Sequence, residues 1–94
     1  MEKIKMAAIK FNNGTVVENW DHASCYMTAS DEHKIYDCKG ACEGFVTTKG
    51  RFVTRYEASK IAIAADQISG EPRQLQSYEV KKNYALKETV NDNI

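Results

Sequence analysis

The chain has 94 residues, which is enough for one domain and too few for two. Its 13 lysine and arginine residues balance 13 aspartate and glutamate residues, whereas proteins that wrap duplex nucleic acid carry a basic excess. No run of about 18 apolar residues is present, and the N-terminal stretch lacks the apolar core of a signal peptide. Duplex binding and membrane insertion are therefore disfavoured, and the odd number of cysteines predicts a protein of a reducing cytoplasm.

The first part of the chain predicts a β-hairpin followed by a short helix. Residues 4–11 and 15–20 are typical of strands, and the Asn-Gly pair between them is a strong hairpin signal because both residues tolerate positive φ. Asp21 is expected to cap a helix that begins near His22. Further along, the sequence predicts a polar loop at 30–34, a short strand at 35–38 and a turn at 39–41.

A second hairpin and a longer helix are predicted downstream. Two short strands, at 45–48 and 51–53, are joined by a Lys-Gly turn. Thr54 and Glu57 have the spacing of a capping box, which predicts a helix over 54–68. The apolar stripe of this helix consists of Ala58, Ile61, Ala62, Ala65 and Ile68, and Gly70 and Pro72 are expected to end it.

These elements predict an α+β fold in which a small antiparallel sheet is combined with one short and one longer helix. The predicted single domain covers residues 1–72. Residues 73–94 fit neither a helical nor a strand period, so we expect a partly ordered C-terminal extension whose last four residues are frayed.

An anion-binding site is predicted where the second hairpin meets the longer helix. Arg51 and Arg55 lie on either side of the helix start, and guanidinium groups bind phosphate or carboxylate in a bidentate manner. Two threonines and a glycine N–H in the turn would add neutral donors, and a histidine would add a hydrogen bond from a neighbouring segment. The predicted ligand-binding residues are Arg51, Arg55, Thr47, Thr48, Gly50 and His22.

An alternative interpretation gives both arginines ordinary roles. They would then be solvated, or would pair with Glu43, Glu57 or Asp66. If 51–53 is a strand, Arg51 and Val53 share one face, so one of the two side chains should lie at an edge.

Other chemistry receives weaker support. Metal binding would draw on His22, Cys25, His33, Cys38 and Cys42, but no Cys-x-x-Cys pair is present and the spacing matches no standard zinc finger. No glycine-elbow or oxyanion-loop pattern surrounds a cysteine. We therefore predict no metal, no cofactor and no catalytic residue. Six aromatic residues could stack a base, although we expect most of them to lie in the core. They are Trp20, Tyr26, Tyr36, Phe45, Phe52 and Tyr56.

Residues 4–68 resemble a family of small proteins carried by phages and prophages. The resemblance rests on AAIKF at 7–11, GTVV at 14–17, His22, and a closing pattern GFVT-x-x-GRFV-x-R-x-EA-x-x-IA-x-x-x-QI over 44–68. Within that family the chain resembles the Thoeris anti-defence sponges, which sequester cyclic ADP-ribose-type signals made by bacterial immune enzymes. The loop at 37–43 departs from the family pattern, so the part of a pocket that would contact a base is not transferred.

This resemblance implies a homodimer or higher homo-oligomer in the cytoplasm of an infected bacterial host. It also implies that Arg51 and Arg55 bind the phosphates of a phosphorylated nucleotide signal without cleaving it. The leading hypothesis is thus a non-enzymatic sponge. The alternatives are a protein–protein inhibitor of a host nuclease or defence effector, which would use Tyr78 and Tyr84 in the C-terminal region, and an enzyme that acts on the same nucleotide.

Overall fold

The computed structural model describes residues 1–86 and has the predicted α+β fold. Four antiparallel strands form one sheet in the order β2-β1-β3-β4. Within the described residues, no helix is long and apolar enough to cross a membrane. The elements are β1 (Ile4–Lys10), β2 (Val16–Asn19), α1 (His22–His33), β3 (Cys42–Thr47), β4 (Phe52–Thr54), α2 (Arg55–Ala64), α3 (Ser77–Val80) and a 3-10 turn (Lys81–Asn83).

The first hairpin is confirmed, and its loop has three residues. The Phe11 N–H donates to the Thr15 carbonyl at 2.8 Å, and the Gly14 N–H donates to the Phe11 carbonyl at 2.8 Å. Only the glycine of the Asn-Gly pair takes positive φ, at 89°. The loop is therefore a turn closed by a left-handed glycine, not a two-residue turn that needs positive φ at both positions.

Helix α1 begins as predicted and ends later than predicted. The Asp21 carboxylate accepts a hydrogen bond from the Ser24 N–H at 2.9 Å, which confirms the cap. The predicted loop at 30–34 is wrong, because α1 continues to His33 and stops at Lys34, whose φ is 57°. The predicted strand at 35–38 is also wrong, since those residues form no strand. Polar residues on the exposed side of a helical turn look the same in sequence as a polar loop.

The second hairpin is confirmed, with β3 starting at Cys42 and therefore earlier than predicted. The Gly50 N–H closes the turn by donating to the Thr47 carbonyl at 2.8 Å. Val53 lies opposite Phe45 and is buried. The strand begins at Phe52 instead of residue 51, so Arg51 lies just before β4, where it is exposed.

Helix α2 carries the predicted capping box at Thr54 and Glu57. It ends at Ala64 instead of residue 68, because the chain turns through Asp66 with φ at 62°. The next side chain, Gln67, is buried and bonds β1 on both sides of Ile4, accepting from its N–H at 2.8 Å and donating to its carbonyl at 2.7 Å. These bonds hold the end of α2 against the sheet.

One face of the sheet packs with the helices to form the core. The segment at 73–86 contributes to this core, since Leu75 and Val80 are fully buried within it. Residues 73–86 are thus packed against the predicted 1–72 domain. The predicted fraying of the last four residues lies outside the described residues. The core consists of Ile4, Ala7, Ile9, Phe11, Val17, Cys25, Ala29, Phe45, Val53, Ala58, Ala62, Leu75 and Val80.

Candidate functional site

Arg51 and Thr47 together hold a carboxylate at the turn of the second hairpin. The Arg51 guanidinium donates to both oxygens of Glu2, from Nε to Oε2 at 2.7 Å and from Nη2 to Oε1 at 3.0 Å. The buried Thr47 hydroxyl donates to Oε2 of the same carboxylate at 2.6 Å. We call Thr47 and Arg51 the anion cradle. Its geometry is the bidentate arrangement that arginine offers to carboxylates and phosphates.

The electrostatics of the cradle favour a negative charge. Hydrogen bonds from Arg51 and then from Thr47 lower the pKa of Glu2 to about 2, and the positive charge of Lys49 contributes in the same direction. The Arg51 side chain is 53% exposed, so the guanidinium is accessible from solvent. The cradle therefore lies at the surface and holds a carboxylate of the same chain.

Thr48 and Gly50, which were predicted to donate to a ligand, hold the turn together. The Thr48 hydroxyl accepts from the Lys3 N–H at 3.0 Å, and the Thr48 N–H donates to the Lys3 carbonyl at 2.9 Å. The Gly50 N–H is engaged with the Thr47 carbonyl. Both residues therefore position the cradle and fix the N-terminal segment beside it.

Arg55 lies at the opposite end of β4 and has three partners of its own. Its guanidinium contacts Glu43, donates to the Leu75 carbonyl at 3.0 Å and donates to the Gln76 side chain at 2.7 Å. Its side chain is 19% exposed. The pairing with Glu43 that the alternative interpretation expected is confirmed. The three residues of β4 lie between the two arginines, which are four steps or about 13 Å apart along extended backbone, and each arginine binds a different carboxylate.

The contact between Arg55 and Glu43 belongs to a closed network. The Tyr26 hydroxyl donates to the second oxygen of Glu43 at 2.9 Å. Burial by itself would raise the pKa of Glu43, but hydrogen bonds from Arg55 and Tyr26 outweigh it and lower that pKa. Burial, reinforced by the bond to Glu43, raises the pKa of Tyr26 to about 12. This network joins α1, β3 and α2 to the segment that follows Pro72.

His22 is a buried residue beneath the sheet. Its Nε2–H donates to the Gly44 carbonyl at 2.8 Å, and its ring meets the Phe45 ring edge-on at 5.2 Å between centroids. The structure therefore places it away from the cradle turn, where it connects the start of α1 to β3.

The three cysteines differ in burial. Burial raises the pKa of the Cys25 thiol to about 12, so this cysteine is a core residue, while Cys38 and Cys42 are exposed free thiols. Among residues 1–86, no cluster of three His, Cys, Asp or Glu side chains could hold a metal ion.

The expectation that most of the six aromatic residues lie in the core is wrong. Of the six, only Phe45 is fully buried, while the exposed ones are Trp20, Tyr36 and Tyr56.

A polar groove of about 500 Å³ lies elsewhere, beyond the C-terminal end of α2. Its arginine, Arg73, donates to Glu79 and to the carbonyls of Ser69 and Glu71. The Arg73 guanidinium is thus bound to two backbone carbonyls as well as to a carboxylate.

Glu2 was missed by the sequence interpretation, which considered only nearby acids as partners for Arg51. The two residues are 49 positions apart, and the pairing of β1 with β3 brings them together. The signal that could have found the contact is an acid two residues before the first predicted strand, since antiparallel pairing places the start of β1 beside the end of β3.

Comparison with known proteins assigns the chain to a family. Residues 3–83 match the family described as phage T4 y16D protein, so the match covers all the elements described above. No curated protein and no solved structure is significantly similar to the chain. The match supports the expectation of a small phage-encoded protein. The chain belongs to the phage T4 y16D protein family.

Proposed function

We propose that this protein is a non-enzymatic phage binding protein that sequesters a phosphorylated nucleotide signal, with a phosphate group bound in the anion cradle. The observation that carries the proposal is the carboxylate of Glu2, which is held by two bonds from Arg51 and one from Thr47. A phosphate oxygen pair presents the same acceptors to a guanidinium fork. The ligand class, a cyclic nucleotide or cyclic ADP-ribose-type immune signal, comes from the resemblance to anti-defence sponges.

In this proposal the two arginines have different roles. Arg51 is accessible and binds the phosphate, and Lys49 adds positive charge beside it. Arg55 supports the site indirectly, because it fastens the start of α2 to Glu43 and to the chain at Leu75. A binding role without turnover also suits this site, because the carboxylate that accepts the Thr47 hydrogen bond has a pKa of about 2 and is therefore a weak base.

The test is to mix the protein with a panel of cyclic nucleotides and cyclic ADP-ribose-type molecules, remove unbound ligand, and heat the complex. We expect one member of the panel to be retained and released intact, as judged by mass spectrometry. Recovery of a converted product would favour an enzyme. Retention of no panel member would contradict the proposal.

A protein–protein inhibitor is a second candidate, and the exposed aromatic surface favours it. Trp20 is 41% exposed and is held in place by Tyr84, whose hydroxyl donates to the Trp20 carbonyl at 2.7 Å. Exposed and preorganised tryptophans are frequent anchors of protein interfaces. Tyr78, which the sequence proposed for such a surface, is exposed as well.

Anti-defence activity in infected cells separates the two candidates. If the protein is an inhibitor, Trp20→Ala or Tyr78→Ala should remove protection of the phage while Arg51→Ala keeps it. The sponge proposal expects the reverse.

A further inference from the structure

We propose that Glu2 is an internal competitor for the anion cradle, so that an incoming phosphate binds by displacing the Glu2 carboxylate. This inference rests on the proposed function, because it describes how access to that same site is controlled. The carboxylate satisfies the same Arg51 and Thr47 donors that a phosphate would use. Both anions cannot accept these hydrogen bonds at once.

The Glu2 side chain can leave the cradle without disturbing the backbone hydrogen bonds of the segment that carries it. The backbone bonds that fasten this segment begin at Lys3, which exchanges bonds with Thr48, and continue at Ile4, which Gln67 holds. Rotation of the Glu2 side chain about its own bonds therefore breaks the contacts to the cradle without breaking any of these. Met1, on the other side, is exposed.

The second carboxylate that binds an arginine offers a contrast. Glu43 lies within β3, opposite Ile9 of β1, and receives bonds from Tyr26 as well as Arg55. Its partner Arg55 is also bound to a backbone carbonyl and to Gln76. Displacement of Glu43 would open the contact between α1, β3 and α2. The exchangeable carboxylate is therefore Glu2.

A tethered competitor lowers the apparent affinity in proportion to the fraction of molecules in which the cradle is vacant. Replacement of Glu2 by glutamine removes the charge that pairs with Arg51 and keeps a side chain of similar size. If Glu2 occupies the cradle in most molecules, this change should strengthen anion binding by about three- to tenfold.

The experiment is a calorimetric titration with inorganic pyrophosphate, which carries the diphosphate group of many nucleotides. The variants are Glu2→Gln, Arg51→Ala and, as a matched control, Glu32→Gln, which removes an exposed carboxylate on α1. We expect tighter binding for Glu2→Gln, wild-type binding for Glu32→Gln and no binding for Arg51→Ala. Thermal unfolding of each variant verifies that it is folded.

Two further outcomes separate the inference from the proposed function. If Glu2→Gln binds pyrophosphate with wild-type or weaker affinity while Arg51→Ala loses binding, the cradle is an anion site and Glu2 is not a competitor. If no variant binds pyrophosphate, or if Arg51→Ala binds as well as wild type, the cradle is not the anion site, and both the inference and the proposed function are overturned.

Discussion

At the scale of single residues, the two arginines at positions 51 and 55 have different structural roles. Arg51 holds Glu2 at an exposed turn, whereas Arg55 is surrounded by Glu43, Leu75 and Gln76. Sequence spacing predicted both as ligand contacts and cannot separate them, because the partners of each arginine are distant in the chain. The two arginines differ in the exposure of their side chains and in the number of hydrogen-bonding partners within the protein.

The consequence for stability is measurable in Arg55→Ala. The substitution leaves Glu43 without its cation and removes the bonds to the segment at 75–76. Hydrogen bonds to charged groups contribute roughly 1.5–3 kcal/mol, so we expect a loss of about 2 kcal/mol in the free energy of unfolding. Urea denaturation measures it. Arg51→Ala is the comparison and should lose less stability than Arg55→Ala, since the Arg51 side chain is 53% exposed and solvent screens its ion pair. Equal midpoints for the two variants would refute the division of roles.

The ion pair between Glu2 and Arg51 should make stability depend on acid pH. The folded state lowers the pKa of Glu2 from 4.5 to about 2, so the pair stabilises the protein above pH 4.5 and its contribution is lost as the pH falls toward 2. The difference in melting temperature between wild type and Glu2→Gln should therefore shrink between pH 5 and pH 2. A difference that stays constant over this range would mean that the pair does not form.

At the scale of elements, the centre of β3 depends on a glycine. A side chain at Gly44 would place its Cβ 2.2 Å from the Val53 carbonyl oxygen and 2.6 Å from the Phe52 ring. The Gly44 carbonyl also accepts the hydrogen bond of His22, so β3 is fixed from both β4 and α1. Local signals predicted the hairpins and both helix starts. They did not predict this glycine's role, which arises from the packing of β4.

Gly44→Ala should therefore destabilise the protein strongly. Because the closest atom is a backbone oxygen, β3 and β4 would have to separate, and overpacking of this kind typically costs about 1–3 kcal/mol or more. We expect a melting temperature lower by at least roughly 5 °C. Gly50→Ala is an informative companion, since no atom within 4 Å would meet its Cβ and only its φ of 80° is strained. A larger loss for Gly50→Ala than for Gly44→Ala would contradict this account.

At the scale of the whole molecule, long-range contacts complete the fold. Tyr84 bonds Trp20 across 64 positions and Gln67 bonds Ile4 across 63. The sequence predicted the sheet and helices because caps, turns and apolar periods are local. It predicted neither the packing of residues 73–86 nor the occupant of the cradle, because both depend on contacts between distant segments. Leu75 and Val80 fit neither a helical nor a strand period, so the sequence did not indicate that both side chains are buried.

Truncation tests whether residues 73–86 are needed. A chain that ends at residue 72 loses Leu75 and Val80 from the core, and full burial of each such side chain contributes about 1.5–3 kcal/mol. That sum is a large part of the 5–15 kcal/mol typical of a domain. We expect the 1–72 chain to lose cooperative unfolding in circular dichroism, while the full-length chain keeps it. Cooperative unfolding of the 1–72 chain near the full-length melting temperature would instead support the domain boundary predicted from the sequence.

The proposed function requires the cradle of Thr47 and Arg51 to capture a phosphorylated nucleotide. Its most direct test is calorimetric titration of wild type, Arg51→Ala and the control Lys10→Ala, which removes an exposed positive charge at the end of β1, with the nucleotide that the panel identifies. We predict that Arg51→Ala weakens binding by at least about tenfold and that Lys10→Ala leaves it unchanged. Wild-type affinity in Arg51→Ala, or a panel in which no nucleotide binds, would contradict the claim.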